Sequence, residues 1–261
     1  MIVSAPEPCF GADAFPDNAV RLGAMNRRGF LAGLAAVSGS SALAQTAPSA
    51  PAPLIYYAGQ AGRLTSDRDA AGGNPFATAL VEVLKIRPLT LKKFTEKLAY
   101  ANAIHSKGWQ QMDYPFALPG PKRRLDKSEK RVALVLINAD YSKSDAYSLP
   151  GARFDAKRVP AALTEAGFAT TLVQDVDAAT ARHALAEFAV QSEGADDAVI
   201  YIGGHGAQRS RDVYWLMGDF PGQDAKWLDD HAITVGEIAK SAKARELNLV
   251  LYASCRDNPF T

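Results

Sequence analysis

Short apolar runs that alternate with helical patterns constrain the fold of this chain more than any other feature. Three of these runs are almost unbroken, with Arg131 and Asn248 as the exceptions: Arg131–Ile137, Ala198–Ile202 and Leu247–Tyr252. They are rich in β-branched or aromatic residues, which is typical of strands buried on both faces of a parallel sheet. Weaker runs at Leu54–Ala58 and Phe168–Val173 predict two further strands.

Helical patterns lie between these strands. We expect one helix capped by Asn74 in front of Pro75, and another capped by Thr90. Further helices are expected at Ala152–Ala166, Ala178–Ser192 and Thr234–Ala244, and a short extended piece at Trp109–Leu118. This alternation predicts an α/β fold with three layers around a mostly parallel sheet of about six strands, as one domain over residues 54–261.

The composition is that of an ordinary globular protein. Hydrophobic residues make up 48% of the chain and charged residues 22%, with a formal net charge of +1. Such a chain gives no reason to expect nucleic acid or a membrane surface as its partner. The basic stretch Pro121–Arg131 also contains acidic residues and no aromatics, so we interpret it as a solvated linker.

The first part of the chain carries a pattern typical of export. Arg27 and Arg28 precede a short apolar stretch, and Ala42-Leu43-Ala44 offers a small-x-small cleavage site. We predict a twin-arginine-type signal peptide over residues 25–44, a non-native extension over 1–24 and an Ala/Pro linker over 45–53. The exported protein would be periplasmic, would not insert in the membrane, and would keep Cys255 but lose Cys9.

A histidine and a cysteine follow two of the almost unbroken runs. His205 lies in Gly203-Gly204-His205-Gly206, and Cys255 follows Tyr252-Ala253-Ser254. Ligands bind outside the carboxyl ends of parallel strands, so we expect the imidazole and the thiol at one edge of the sheet. Each residue alone also fits a structural role. Together they are the minimum equipment of a cysteine nucleophile and its base.

An ordered set of motifs resembles the caspase-like cysteine peptidases, in particular the bacterial metacaspase-like branch. The set comprises Arg131–Leu136, Leu149–Ala156, Gly204–Gly206 and Cys255–Phe260. His205 and Cys255 are 50 residues apart, which agrees with the spacing in caspases. The resemblance covers the family's large catalytic portion and implies a cysteine endopeptidase acting on a protein or peptide.

A looser resemblance to the family's small portion lies in front of the large one, over residues 54–118. In the family the small portion follows the cysteine. We therefore interpret the chain as circularly permuted, with residues 119–130 as the joining linker and 131–261 as the large portion. This interpretation requires the strand Leu54–Ala58 to pair with Leu247–Tyr252.

The resemblance implies a division of roles at the site. Cys255 would attack the scissile carbonyl, His205 would manage the protons, in an ion pair if the imidazole is charged, and the backbone N–H groups of Gly206 and Cys255 would hold the oxyanion. No cofactor or metal is expected to be required. Calcium stays open for loop aspartates that lack EF-hand spacing, and we interpret His105 and His231 as isolated surface residues.

The position of Ala253 leaves the substrate preference open. Metacaspase-like relatives carry Asp two residues before the cysteine, where it helps to bind a P1 Arg or Lys, whereas this chain has Ala253 followed by Ser254. Asp67 or Asp155 could supply the negative charge instead. Cleavage after Arg or Lys is the family default. The alternatives to an active peptidase are a binding module that has lost effective catalysis and a rearranged fragment that folds poorly.

Overall fold

The structure is a computed structural model that describes residues 50–222 and 224–260. The predicted upstream extension and signal peptide lie outside the described residues. The strands of the described part are β1 (Leu54–Tyr57), β2 (Arg131–Ile137), β3 (Ala169–Gln174), β4 (Asp197–Gly203), β5 (Gly206–Arg209), β6 (Asp212–Leu216), β7 (Ala232–Thr234) and β8 (Leu247–Tyr252). The helices are α1 (Pro75–Val83), α2 (Leu91–His105), α3 (Pro150–Glu165), α4 (Ala178–Glu193), α5 (Leu228–His231) and α6 (Val235–Ala239). None of these helices is long and apolar enough to cross a membrane.

The central sheet has five strands, all parallel, in the order β1-β8-β4-β2-β3. The predicted α/β class is confirmed, with five strands instead of about six. The extended piece at 109–118 adds only a single antiparallel bridge, between Asp113 and Tyr57. Pro115 and Pro119 follow Asp113, and because proline has no N–H to donate, they disfavour continuation of the ladder beyond this bridge.

Helices cover both faces of this sheet and give the three predicted layers. Successive side chains of a strand point to opposite faces, so Val135 packs in the core beneath α1, α2 and α3, while Leu134 packs in the core beneath α4 and α6. Both residues are almost fully buried. This double burial explains why β2, β4 and β8 read as almost unbroken apolar runs.

Strand β1 pairs with β8 at the edge of the sheet. The two run parallel, with Leu54 opposite Leu249 and Tyr57 opposite Tyr252. The pairing that a circular permutation requires is therefore present.

A second, antiparallel sheet of three strands, in the order β5-β6-β7, follows directly after β4. This sheet was not predicted from the sequence, since its strands are three to five residues long and partly polar. The indole Nε1 of Trp215 donates to the carbonyl oxygen of Gly203 at 2.9 Å and ties this sheet to the end of β4.

The predicted helix starts are confirmed. The Asn74 side chain accepts from the N–H of Phe76 at 2.8 Å, and the Thr90 hydroxyl accepts from the N–H of Lys93 at 3.2 Å. Helix α6 instead ends five residues earlier than predicted, at Ala239. Asn248 explains the loss of helix near Ala244, because its side-chain amide bonds both the N–H and the carbonyl oxygen of that residue.

The basic linker is attached to the domain rather than merely solvated. The Arg123 guanidinium lies 2.6 Å from the carboxylate of Asp197 and also contacts that of Glu246. The N–H of Leu125, a buried residue, donates to the carbonyl oxygen of Leu89 at 2.8 Å. The interpretation of this stretch as a solvated linker is therefore wrong for Arg123 and Leu125.

Candidate active site

The candidate site lies at the carboxyl end of β4 and β8. These strands pair in register up to Ile202 and Tyr252, and His205 and Cys255 each lie three residues beyond that pair. Gly206 packs against the segment that carries the cysteine. A Cβ atom built on Gly206 would lie 2.8 Å from the Cys255 carbonyl oxygen. Glycine is therefore needed at 206 for this close approach of two backbones.

His205 is held by a loop that follows β2. Its backbone N–H donates to the Tyr141 hydroxyl at 2.7 Å, and the two rings stack edge-on with centroids 4.4 Å apart. Its Nε2 atom lies 2.7 Å from the carbonyl oxygen of Tyr147. A carbonyl oxygen can only accept, so Nε2 carries the hydrogen and Nδ1 carries the lone pair of the neutral ring.

The environment of His205 disfavours its charged form. The residue is only 3% exposed, and this burial lowers its pKa to about 4, against a smaller upward contribution from the bond to Tyr147. At neutral pH the imidazole is therefore uncharged. The neutral ring has a lone pair that can accept a proton, and its burial disfavours the imidazolium of an ion pair.

Cys255 lies beneath a loop that the sequence had linked only loosely to the site. Its side chain is 5% exposed, and the sulfur lies 3.4 Å from the N–H of Thr65, which donates to it. Two backbone hydrogen bonds of 2.9 Å, one from Arg256 to Arg63 and one from Gly62 to Arg256, hold this loop against the cysteine segment. We call residues 62–65 the covering loop. Sequence reasoning missed Thr65, because a backbone contact depends little on residue type.

Arg256, the residue after the cysteine, anchors the same segment to β1. Its guanidinium lies 3.9 Å from the ring centroid of Tyr57 and donates to the carboxylate of Asp113 at 2.7 Å. Its Nε donates to the side chain of Gln208 at 3.1 Å. A buried arginine with several acceptors fixes a loop more firmly than an exposed one would.

Ala253 and Ser254 are both buried. The carbonyl oxygen of Ala253 accepts from the Asn74 side-chain amide at 3.0 Å and from the Thr65 hydroxyl at 3.3 Å. The Ser254 hydroxyl is buried without a hydrogen-bond partner among the described residues. Asn74, which the sequence identified only as a helix cap, thus also supports the segment in front of Cys255.

The structure places Asp67 against the start of α3 and Asp155 within that helix, and both carboxylates already have partners. The oxygens of Asp67 accept from the N–H groups of Gly151 and Ala152 at 2.9 and 3.0 Å. Asp155 is 1% exposed and lies 2.7 Å from the guanidinium of Arg158. That either carboxylate contacts substrate stays a prediction.

The other histidines differ from expectation. His105 and His231 are each partly buried beside a carboxylate, with Nε2 of His105 3.0 Å from Glu82 and Nδ1 of His231 3.1 Å from Asp219. The interpretation of these histidines as isolated is therefore wrong, although both remain partly exposed. Within the described ranges, no three or more His, Cys, Asp or Glu residues are grouped so that they could hold a metal ion.

A family model of the caspase domain matches residues 130–260. The chain belongs to the caspase-domain family. The match contains β2 to β8 and both His205 and Cys255, and it supports a cysteine-peptidase-like function with a protein substrate. A comparison with curated proteins gave no match. The covering loop and Asn74, which support the cysteine segment of this caspase domain, lie outside the matched residues.

Proposed function

We propose that the chain is a cysteine endopeptidase that uses His205 and Cys255 as a catalytic dyad. The observation that carries the proposal is the pairing of β4 with β8 inside a caspase domain, because it delivers the imidazole and the thiol to the same end of the sheet. The bond from Nε2 to the Tyr147 carbonyl oxygen holds the ring in one tautomer, and the bond from the backbone N–H to the Tyr141 hydroxyl positions the residue.

The proposed steps use only groups of the chain. Nδ1 of His205 takes the thiol proton of Cys255, and the thiolate attacks the scissile carbonyl. The backbone N–H groups of Gly206 and Cys255 stabilise the oxyanion. The imidazolium then returns the proton to the leaving amine, and water, deprotonated by the same ring, hydrolyses the acyl-enzyme.

Substrate can reach the sulfur only if the covering loop moves. In the described conformation the loop contacts Sγ through Thr65 and pairs with Arg256 through two backbone bonds. Its displacement exchanges those bonds for bonds to an extended substrate. We therefore expect a slow step before acylation, as in enzymes where loop opening limits turnover.

The test combines a thiol-directed activity probe with hydrolysis of a peptide library by the full chain. We expect labelling and hydrolysis in the wild type, neither in Cys255→Ala, and strongly reduced rates in His205→Ala. His183→Ala is the matched control, since that histidine is an exposed residue of α4. Labelling that His205→Ala leaves unchanged would contradict the dyad.

A second candidate is a binding module that keeps the fold with little catalysis. The almost complete burial of the Cys255 sulfur and the alanine at 253 favour it. This candidate predicts a folded protein that hydrolyses no peptide and whose peptide binding is indifferent to Cys255→Ala. The same library experiment separates the two candidates.

We also propose that the chain is a circularly permuted member of the bacterial metacaspase-like branch, with residues 54–118 in the place of the small portion. The parallel pairing of β1 with β8 supports this order. A rearranged chain with residues 54–118 linked behind residue 260 should keep probe labelling and thermal stability. A rearranged chain that does not fold would contradict the proposal.

Export through the twin-arginine route is a further part of the proposal. It is supported by Arg27 and Arg28 in front of the apolar stretch. Fractionation of cells that express the chain should find it in the periplasm, and changing both arginines to lysine should retain it in the cytoplasm. Export that survives this change would exclude that route.

A further inference from the structure

The hydroxyl group of Tyr252 joins three backbone segments beside the candidate site. Tyr252 is the last residue of β8 and is fully buried. Its hydroxyl lies 2.7 Å from the carbonyl oxygen of Tyr214, in β6, and 3.0 Å from the carbonyl oxygen of Cys255. A carbonyl oxygen only accepts, so the hydroxyl is the donor to both, and its single hydrogen is shared between them.

The same hydroxyl packs against Gly206, the first residue of β5. A Cβ atom built on Gly206 would overlap the hydroxyl oxygen of Tyr252 and would lie 2.8 Å from the Cys255 carbonyl oxygen. Gly206 and Cys255 are the residues whose backbone N–H groups stabilise the oxyanion in the mechanism above. Tyr252, which is neither the nucleophile nor the base, therefore contacts both of them.

Strand β5 runs beside the cysteine segment, residues 253–257, and this fixes the direction of one oxyanion donor. The N–H of Gln208 donates to the carbonyl oxygen of Asp257 at 2.7 Å. In a strand, the N–H groups of alternate residues point to the same side, so the N–H of Gly206 also points toward the cysteine segment. Its distance from Cys255 depends on how closely β5 and β6 are held to that segment.

The ring of Tyr252 is fixed by its neighbours in the sheet. It lies edge-on to the ring of Tyr57 in β1, with centroids 5.7 Å apart, and the Tyr57 ring in turn lies 3.9 Å from the Arg256 guanidinium. The backbone carbonyl oxygen of Tyr252 accepts from the N–H of Ala58 at 2.9 Å. A ring in a close-packed interior presents its hydroxyl at one point, so the two carbonyl groups bonded to it are held there as well.

We propose that Tyr252 is a positioning residue for the oxyanion donors. The proposal rests on the proposed peptidase function and adds a residue that touches neither substrate nor the reacting atoms. The hydroxyl keeps the β5–β6 hairpin and the cysteine segment at a fixed separation, so the N–H groups of Gly206 and Cys255 converge on one point before substrate arrives. Without the hydroxyl, the two segments are free to separate and the donors no longer converge.

The rival explanation is that the hydroxyl serves only the fold by bonding two buried carbonyl groups. Its loss would then loosen the whole cysteine segment, including the backbone bonds that join Arg256 to the covering loop. A looser covering loop exposes the Cys255 sulfur. The rival therefore predicts faster chemical modification of the thiol, whereas misplaced oxyanion donors leave the thiol as protected as before.

The first measurement is the kinetics of the full chain on its best library peptide. Tyr252→Phe removes only the hydroxyl, and we expect kcat to fall by about tenfold or more while KM changes by less than about twofold. Tyr201→Phe is the matched control, because that tyrosine is equally buried in the neighbouring strand β4 and its hydroxyl has no hydrogen-bond partner among the described residues. This control should keep both constants.

Two reagents separate the oxyanion donors from the reactivity of the thiol. With a peptide aldehyde, Sγ of Cys255 bonds to the aldehyde carbon and the thiol proton passes to the former carbonyl oxygen, which takes the place of the oxyanion. Iodoacetamide alkylates the same sulfur with loss of iodide and needs no oxyanion donor. Tyr252→Phe should weaken aldehyde inhibition by about tenfold and change the alkylation rate by less than about twofold. Mass spectrometry follows alkylation at Cys255, because the full chain also contains Cys9.

Replacement of Tyr252 by 4-aminophenylalanine keeps the test decisive if Tyr252→Phe fails to fold. The amino group places N–H donors where the hydroxyl lies, so kcat and aldehyde inhibition should stay within about threefold of the wild type. Three results overturn the proposal while the peptidase function stands: a folded Tyr252→Phe with unchanged kcat and aldehyde inhibition, a Tyr252→Phe that is alkylated much faster than the wild type, or an amino variant that folds and loses activity. Absence of any Cys255-dependent hydrolysis in the wild type overturns both.

Discussion

The segment before the linker, residues 54–118, and the segment after it, residues 131–260, both reach the carboxyl end of the central sheet. They contribute different groups to the candidate site. Residues 131–260 supply the chemical groups, His205 and Cys255, and match the caspase domain. Residues 54–118 supply hydrogen bonds to the cysteine segment. The N–H of Thr65 donates to the Cys255 sulfur, and the side-chain amide of Asn74 donates to the carbonyl oxygen of Ala253. The comparison teaches that His205 is held by residues inside the family match, such as Tyr141 and Tyr147, whereas the cysteine segment also depends on residues outside it.

The largest loss of activity is expected when the imidazole of His205 is replaced. His205→Gln keeps a neutral hydrogen-bond donor but removes the base, so kcat/KM should fall by about 10²–10⁴-fold. Stopped-flow or fluorogenic assays with the best library peptide measure it. His183→Gln should retain full activity, and an equal loss in both variants would mean that the effect is not specific to the site.

Burial of the same imidazole also predicts a pH dependence of stability. The pKa of His205 is about 4 in the folded protein against an ordinary value of 6.5, so between these values the unfolded chain binds more protons. Folding therefore loses stability as the pH falls from above 6.5 to below 4, by about 3 kcal/mol in total.

Denaturant unfolding of wild type and His205→Gln at a series of pH values isolates this contribution. The difference between the two proteins should shift by that amount across the window, because the raised pKa values of Asp155 and Asp257 affect both proteins alike. His183→Gln should follow the wild type throughout. A constant difference between wild type and His205→Gln would contradict the burial argument.

A substitution at Asn74, in the segment before the linker, should lower both stability and activity. Asn74→Ala removes a helix cap and the bonds to Ser66 and Ala253, so we expect a loss of about 2 kcal/mol and reduced peptide hydrolysis. Thr90→Ala removes only the cap of α2 and should cost about 1 kcal/mol with unchanged kcat/KM of the folded protein. If Asn74→Ala and Thr90→Ala reduced hydrolysis equally, Asn74 would act only as a helix cap and not as a support of the site.

The smallest effect is expected at the covering loop. Thr65→Val removes the hydroxyl that contacts Ala253 and the Cys255 sulfur but keeps the backbone N–H, so stability should fall by about 1 kcal/mol. Thermal unfolding measures this loss. Thr170→Val, where the hydroxyl bonds only the nearby carbonyl of Phe168, should change less. The reverse ranking would show that the hydroxyl does not hold the loop.

The sequence predicted the central sheet well because burial on both faces leaves a strong signal. The bounds of β2 and β8 agree with the apolar runs, and Asn74 and Pro75 announced the start of α1. The antiparallel sheet was not predicted, since a strand such as Gly206–Arg209 has the composition of a loop. Linker attachment was also missed, because ion pairs such as Arg123 with Asp197 join residues that are distant in sequence.

At the site, the sequence located the side chains but not the backbone groups that hold them. His205 and Cys255 could be found because each ends an apolar run. The carbonyl oxygen of Tyr147 and the N–H of Thr65 could not, since every residue except proline offers both groups. The neutral state of His205 likewise depends on burial by residues that are far away in the chain.

The covering loop has a consequence for how long the protein remains usable. A thiol is the group of a peptidase most readily lost to oxidants, which convert it through sulfenic to irreversible sulfinic acid at a rate that follows its exposure. With Thr65 against the sulfur, that attack is confined to the moments when the loop is open. If the chain is the peptidase proposed above, the same opening would admit substrate, and the fraction of time spent open would set both the rate of turnover and the rate of oxidative inactivation.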